Sequence, residues 1–364
     1  MIPMVDLKGQ YQTLKDEIQT ALADTFDNTH FILGPNVQAF EKEAADYLGV
    51  NHAISCASGT DALHLALLAA SIGKGDEVIT TAFTFIATAE AIDYVGATPV
   101  FVDIEADTFN IDPTKIEAAI TDKTTAIIPV HLFGQPADMD AIMAIAEKHN
   151  LKVVEDCAQS FGAAINDRMT GGIGIAGCHS FFPSKNLGCY GDGGMITTND
   201  DEVAAKLKQL RNHGSSERYH HDIIGYNSRL DEIQAVILRI KLRRMKSYNE
   251  GRRRAAHQYS ELLKNLVTPP HEDGKGEHVY HQYTLLSDRR DAIMQKLQDA
   301  QIGCAIYYPI PLHKQKVFAE LCADVHLPVT EDVVEHCLSL PVFPELSEEQ
   351  VIEIVNVIES AVQA

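Results

Sequence analysis

HAISCASGTDALHLALLAASIG, residues 52–73, sets a short β-branched run against a helix-forming one, with Ser58-Gly59-Thr60 between them. HAISCAS (52–58) reads as a strand and DALHLALLAASIG (61–73) as a helix. The alternation continues downstream. EVITTAF (77–83) reads as a strand, TAEAIDYVG (88–96) as a helix, and TPVFVDI (98–104) and TTAIIPVHLFG (124–134) as strands. ADMDAIMAIAEKHN (137–150) follows as a helix, then LKVVED (151–156), CHSFF (178–182) and GGMITTND (193–200) as strands before the helix DEVAAKLKQLRNHG (201–214). Strand and helix in turn require crossover connections, so the expected fold class is α/β, with a mixed, mostly parallel sheet covered by helices on both faces.

Outward from this block, LDEIQAVILRIKLRRMKSYNEGRRRAAHQYSELL (230–263) carries no proline and reads as one long helix. Its basic cluster, Lys241, Arg243, Arg244, Arg252, Arg253 and Arg254, reads as a solvated face. Beyond the turn-rich VTPPHEDGKGEH (267–278) the pattern resumes with YHQYTLLS (280–287), RDAIMQKLQDAQIG (290–303) and SEEQVIEIVNVIESAV (347–362). A length of 364 residues exceeds what one core usually organises. We therefore expect a large domain over 1–245 and a smaller C-terminal α/β domain over 246–364.

Thirty Lys and Arg against 51 Asp and Glu give a formal net charge of −21, which argues against binding a phosphate backbone and so against nucleic acid. Small anions are not excluded, because a local nest of donors holds phosphate in an acidic protein. No apolar run approaches the ~18 residues that span a bilayer. The N-terminal stretch lacks a basic region followed by an apolar one, so no signal peptide is expected. Seven cysteines without a CxxC pair fit reduced thiols better than disulfides or zinc. Cytoplasmic location and no metal are the expectations.

Three features fall where an α/β sheet places its ligands, at strand ends facing helix starts. Ser58-Gly59-Thr60 has two readings, a helix cap or a phosphate cradle built from first-turn amides and a hydroxyl. Glu155-Asp156, ending an apolar strand, either caps a helix or places a buried carboxylate against a cationic partner such as a protonated heteroaromatic nitrogen. Lys185, in a glycine-rich loop after HSFFPS, is either an ordinary surface lysine or an amine desolvated for Schiff-base chemistry. No GxGxxG or GxxxxGK[ST] supports a dinucleotide or P-loop site. Together the cradle, the carboxylate and the lysine match the needs of pyridoxal phosphate: phosphate on a helix start, a carboxylate holding the ring nitrogen protonated, and an amine for the Schiff base.

SGTDALHLAL (58–67), EDCAQSFGA (155–163), HSFFPSKNLGCYGDGG (179–194) and GYNSRLDEIQAVIL (225–238) resemble the DegT/DnrJ/EryC1/StrS family of nucleotide-sugar aminotransferases. VDLKGQYQTLKDEI, ILGPNVQAFEKEAADYLGV and IYYPIPLHKQ extend the resemblance from about residue 5 to the C-terminus. It implies a fold type I pyridoxal-phosphate aminotransferase acting as a homodimer with shared active sites. Carried over, Lys185 and Asp156 are catalytic, the first as Schiff-base lysine and proton carrier, the second as partner of the ring nitrogen. Gln159 bonds the ring's phenolic oxygen, and Gly59, Thr60 and Ser180 hold the phosphate. Phe85 stacks on the ring, and Asn227 reaches the phosphate in the neighbouring subunit. Arg229, Tyr308 and His313 are the candidates for substrate contacts, Arg229 being equally compatible with a structural salt bridge and His313 with a structural role. His179 reads as a core residue, and His220 and His221 as loop residues. Because Lys185 is retained, transamination is favoured over the dehydration of the family's histidine-bearing branch.

SCASGTDAL, SFFPSKNLGCYGDGG, RYHHDIIGYNSRLDEIQA and YYPIPLHKQ are most similar to enzymes aminating C3 of UDP-linked 2-acetamido-2-deoxy-3-keto sugars, uronate or hexose, for lipopolysaccharide or O-antigen. Glutamate is the implied donor. The alternatives are a C4 aminotransferase of a 4-keto-6-deoxy nucleotide sugar and a regulator that binds the cofactor without turnover.

Overall fold

The computed structural model describes residues 1–363. Its centre is a seven-stranded sheet of β1 (His52–Cys56), β2 (Glu77–Thr81), β3 (Thr98–Val102), β4 (Thr124–Ile128), β5 (Lys152–Asp156), β6 (Ala176–Ser180) and β7 (Gly194–Thr198). The order across the sheet is β1-β7-β6-β5-β4-β2-β3. The run β6-β5-β4-β2-β3 is parallel, whereas β7 lies antiparallel between β1 and β6. Four or five consecutive residues of β1, β2, β5, β6 and β7 are buried, the pattern of a sheet covered on both faces.

Helices α1 (Leu7–Asn28) and α2 (Pro35–Leu48) precede the sheet, and α3 (Gly59–Ala69) and α4 (Ala87–Tyr94) cross between its strands. Ala62, Leu65 and Ala66 of α3 pack with Ile54, Val78, Ile128, Val154 and Ile196 in one core. Alanine at two of these positions lets the helix axis lie close to the strands.

The stretch 230–263 is not one helix. It breaks into Glu232–Leu242 and Met245–Leu263, with Arg244 at φ −109° and ψ 0° between them. Arg243 and Arg244 both reach Glu17 of α1, at 2.7 and 2.6 Å. The first segment packs against α1 and α2 and the second enters a different core, so the chain turns where it passes from one to the other. The solvated-face reading of the basic cluster also fails in part, because Lys241 and Arg252 are buried. Arg252 Nη1 donates to the carbonyls of Tyr280, His281 and Val342 at 2.9–3.3 Å, and burial lowers its pKa to about 10. No sequence period marks a buried arginine that caps loop carbonyls.

The second core gathers Ala255, Tyr259, Tyr283, Leu285, Leu338, Ile354 and Ile358, and also Ile2. Strand β8 (Tyr283–Leu286) pairs antiparallel with β9 (Cys337–Leu340) inside it. The helix break falls at Arg243–Arg244; Met245 and Tyr248 beyond it still pack with the α2 core, and Ile2 packs in the C-terminal one. No helix among the described residues is long and apolar enough to cross a membrane.

Candidate active site

The carboxyl ends of β1, β2, β4, β5 and β6 open on one cavity of about 560 Å³. Gly59, Thr60, Phe85, Asp156, Gln159, Ser180, Lys185 and Tyr308 all line it. Asn227, Arg229 and His313 do not line it within the single chain.

Both readings of Ser58-Gly59-Thr60 coexist. Ser58 Oγ caps α3 by accepting from Asp61 N at 3.1 Å, leaving the Gly59 and Thr60 amides as first-turn donors without intrahelical acceptors. A Cβ on Gly59 would stand 2.6 Å from Ser180 Cβ, and one on Gly194 would stand 2.2 Å from the Ser58 carbonyl. Glycine at both positions lets β1, β6 and β7 close around the helix start, which favours an anion there.

Glu155 and Asp156 divide along the strand, as alternate residues must. Glu155 turns away from the cavity and accepts from the amides of Gly171, Ile173 and Gly174, each at 2.8 Å, and from His131 at 3.1 Å. Burial opposes its charge, yet His131 and these amides hold its pKa below the usual carboxylate range. Asp156 faces the cavity, with Oδ2 accepting from Thr88 Oγ1 at 2.8 Å and Oδ1 from Ala158 N at 3.1 Å. Burial raises its pKa against these bonds and against the charge of Lys185, and it has no ion pair among the described residues. A buried carboxylate so placed fits a cationic ring nitrogen, which would offset its desolvation.

Lys185 is partly accessible because it faces the cavity, yet desolvation lowers its pKa to about 8 despite the attraction of Asp156. A useful fraction of the amine is therefore neutral near pH 7. Gln159 is fixed from both ends. Its Oε1 accepts from Phe133 N at 2.7 Å and its Nε2 donates to Tyr308 Oη at 2.9 Å, which leaves one N–H for a ligand oxygen in the cavity. Phe85 is 57% exposed on the cavity wall, 6.3 Å from the Tyr308 ring, and offers a face on which a planar ligand stacks.

The remaining sequence candidates lie elsewhere in the chain. Asn227 is exposed and bridges to Asn212, and Arg229 Nη1 donates to Asn212 Oδ1 at 3.0 Å without an ion pair among the described residues. His313 is buried, with Nε2 2.9 Å from Glu331 Oε1. His179 is a core residue packed on Phe161, and burial lowers its pKa to about 4. His220 and His221 form one arm of an exposed two-stranded ribbon with Ser215–Glu217. Thr84, Thr88, Asp192, His281 and Gln282 also line the cavity and were absent from the sequence reading. The two threonines had a signal, a polar pair four apart after a strand end; His281 and Gln282 arrive from the second core and had none.

Residues 12–359 match the family model of the DegT/DnrJ/EryC1/StrS aminotransferases. The chain belongs to that family. It is 56% identical, over 98% of its length and 97% of the relative's, to the UDP-N-acetyl-3-dehydro-alpha-D-glucosamine 3-aminotransferase of Acidithiobacillus ferrooxidans. It is 46% identical, over 95% of its length and 96% of the relative's, to the UDP-2-acetamido-2-deoxy-3-oxo-D-glucuronate aminotransferase of Pseudomonas aeruginosa. Among solved structures, that of S. venezuelae DesV in complex with a ketimine intermediate superposes with a TM-score of 0.97 at 40% identity, covering 100% of this chain and 99% of that one. As a DegT/DnrJ/EryC1/StrS aminotransferase the chain is a sugar transaminase whose cofactor is pyridoxal phosphate. The cavity fits that group: a donor-rich cradle kept open by Gly59, an unpaired buried carboxylate at Asp156, and the lowered amine of Lys185.

Proposed function

We propose that this enzyme transfers an amino group from L-glutamate to the C3 ketone of a UDP-linked 2-acetamido-2-deoxy-3-keto sugar, uronate or hexose. The observation that carries the chemistry is that Lys185, Asp156, Gln159 and the start of α3 meet in one cavity. The substrate class follows the two relatives whose names specify a UDP-N-acetyl-3-dehydro-glucosamine and a UDP-2-acetamido-2-deoxy-3-oxo-glucuronate.

Bound there, pyridoxal phosphate supplies an electron sink for the charge left when a proton departs from carbon. Asp156 would pair with the protonated ring nitrogen, Gln159 Nε2 would donate to the ring oxygen, and the Gly59 and Thr60 amides with Ser180 would hold the phosphate. Phe85 would stack against the ring. Lys185 Nζ would carry the proton leaving the α-carbon of glutamate to the cofactor in the first half-reaction, and carry one from the cofactor to C3 of the sugar in the second. Tyr308 Oη accepts from Gln159, so its own proton is free for a substrate oxygen.

Asn227 lies outside the cavity of its own chain, which fits a role in a second subunit's site, and the enzyme works as a homodimer with shared sites in this reading. Arg229 serves the substrate from there in this reading, whereas His313, buried against Glu331, lies too deep to touch it. We place the reaction in the cytoplasm, in the synthesis of lipopolysaccharide O-antigen or a related surface polysaccharide.

Glutamate added to holoprotein should bleach the visible cofactor band. A panel of UDP- and dTDP-keto sugars should then yield a 3-amino product by NMR from the UDP-3-keto-2-acetamido sugar. An unbleached band would refute glutamate as donor, and amination at C4 of a 4-keto-6-deoxy sugar alone would refute the C3 assignment.

A further inference from the structure

Asp156 is reached by a chain of two buried hydroxyls that the reaction described above does not use. Thr88 sits in the first turn of α4 and is 1% exposed; Thr84, before that helix, is 3% exposed. Thr88 Oγ1 lies 2.8 Å from Asp156 Oδ2 and 3.1 Å from Thr84 Oγ1. An ionised carboxylate only accepts, so Thr88 commits its single proton to Asp156. Thr84 must then be the donor to Thr88, and the chain runs Thr84 to Thr88 to Asp156 in one direction. Each bond polarises the next in a site of low dielectric.

We propose that Thr88, backed by Thr84, is a positioning residue that keeps the Asp156 carboxylate ionised and aimed at the cofactor ring. The inference rests on the reading of Asp156 as partner of the ring nitrogen. The groups facing this carboxylate are Thr88 and the Ala158 amide by hydrogen bonds, Lys185 and His131 through space, the Tyr308 hydroxyl across the cavity, and the thiols of Cys157 and Cys178 in the same core. Burial disfavours the charge, and the cationic influences act only at a distance. Thr88 supplies the one side-chain hydrogen bond, and it holds Oδ2 while Ala158 N holds Oδ1. With both oxygens anchored the carboxylate plane is set, and a valine at 88 would preserve the packing while leaving Oδ2 with no donor.

The test compares Thr88→Val, Thr88→Ser and Asp156→Asn with the wild-type holoenzyme. It reads the equilibrium constant for pyridoxal phosphate release and the pH titration of the bound cofactor's absorbance, with apoprotein melting as a control. Thr88→Val should retain the cofactor about ten- to a hundredfold more weakly. Its acid limb should move to higher pH, since Asp156 without its donor takes up a proton more readily. Thr88→Ser should restore both, and apoprotein melting should fall in Thr88→Val by no more than the few degrees one lost buried hydrogen bond costs. Wild-type affinity and titration in Thr88→Val, alongside a defective Asp156→Asn, would overturn the role of Thr88 alone. A normal Asp156→Asn would instead overturn the assignment of Asp156, and the inference with it. A Thr88→Ser protein as defective as Thr88→Val would reduce Thr88 to packing.

Discussion

At the residue scale the decisive property is the contrast between two neighbouring charges in one cavity. Desolvation moves Lys185 down to about 8 and pushes Asp156 up, each toward its neutral form. The neutral amine is the nucleophile. Association of pyridoxal phosphate with apoprotein should therefore accelerate as pH rises toward about 8 and level off above it, followed by stopped-flow absorbance. A rate still climbing toward the ordinary lysine pKa of 10.5 would contradict the desolvation of Lys185. Lys185, Asp156 and Ser58-Gly59-Thr60 were legible because each occupies a strand end, where chemistry is expected from the topology alone. Glu155 was only half legible: its place on the strand was clear, but the three amides it collects come from the loop 171–174, far from it in any local pattern. His281 and Gln282 left no trace, since they reach the cavity through the packing of the C-terminal core.

At the scale of elements, the active-site loop is tied down by the helix Glu232–Leu242. Gln234 exchanges hydrogen bonds with the backbone of Tyr190, and buried Lys241 donates to the Gly188 carbonyl at 2.6 Å while lying 4.2 Å from the Tyr190 ring centre. The same helix starts with Glu232, whose carboxylate caps α2 by accepting from Asn36 N and Val37 N at 2.9 and 3.0 Å. Glu232→Ala leaves one buried and one part-buried first-turn amide without acceptors. It should cost about 2–3 kcal/mol in denaturant unfolding, and a loss below roughly 0.5 kcal/mol, the ordinary surface level, would contradict the cap. The sequence pattern joined this helix to Met245–Leu263 because nothing between them lacks helix propensity. The turn comes from tertiary packing and the Glu17 contacts, which override a weak local preference.

At the scale of the whole molecule, the alternating strands and helices disclosed the parallel sheet and the crossover helices. The antiparallel β7, inserted between β1 and β6, was hidden, because a run of buried residues reads alike in either direction. A shared site in a homodimer makes a sharp prediction. Lys185→Ala and Asn227→Asp should each be nearly inactive, the second by setting like charge against a phosphate. Subunits of the two, dissociated and remixed, should recover about a quarter of wild-type activity, because half the dimers then carry one intact site. No recovery would place both residues in the same subunit's site. The chemistry as a whole stands on one amine. Lys185 and Lys241 are both desolvated to about 8, but only Lys185 lines the cavity with Asp156. Reducing the holoprotein with borohydride fixes the cofactor to whichever lysine holds it, and peptide mass spectrometry over the full chain reads the position. A pyridoxyl adduct on Lys185 alone is the predicted result; an adduct on Lys241 or on any other lysine, with Lys185 unmodified, would contradict it.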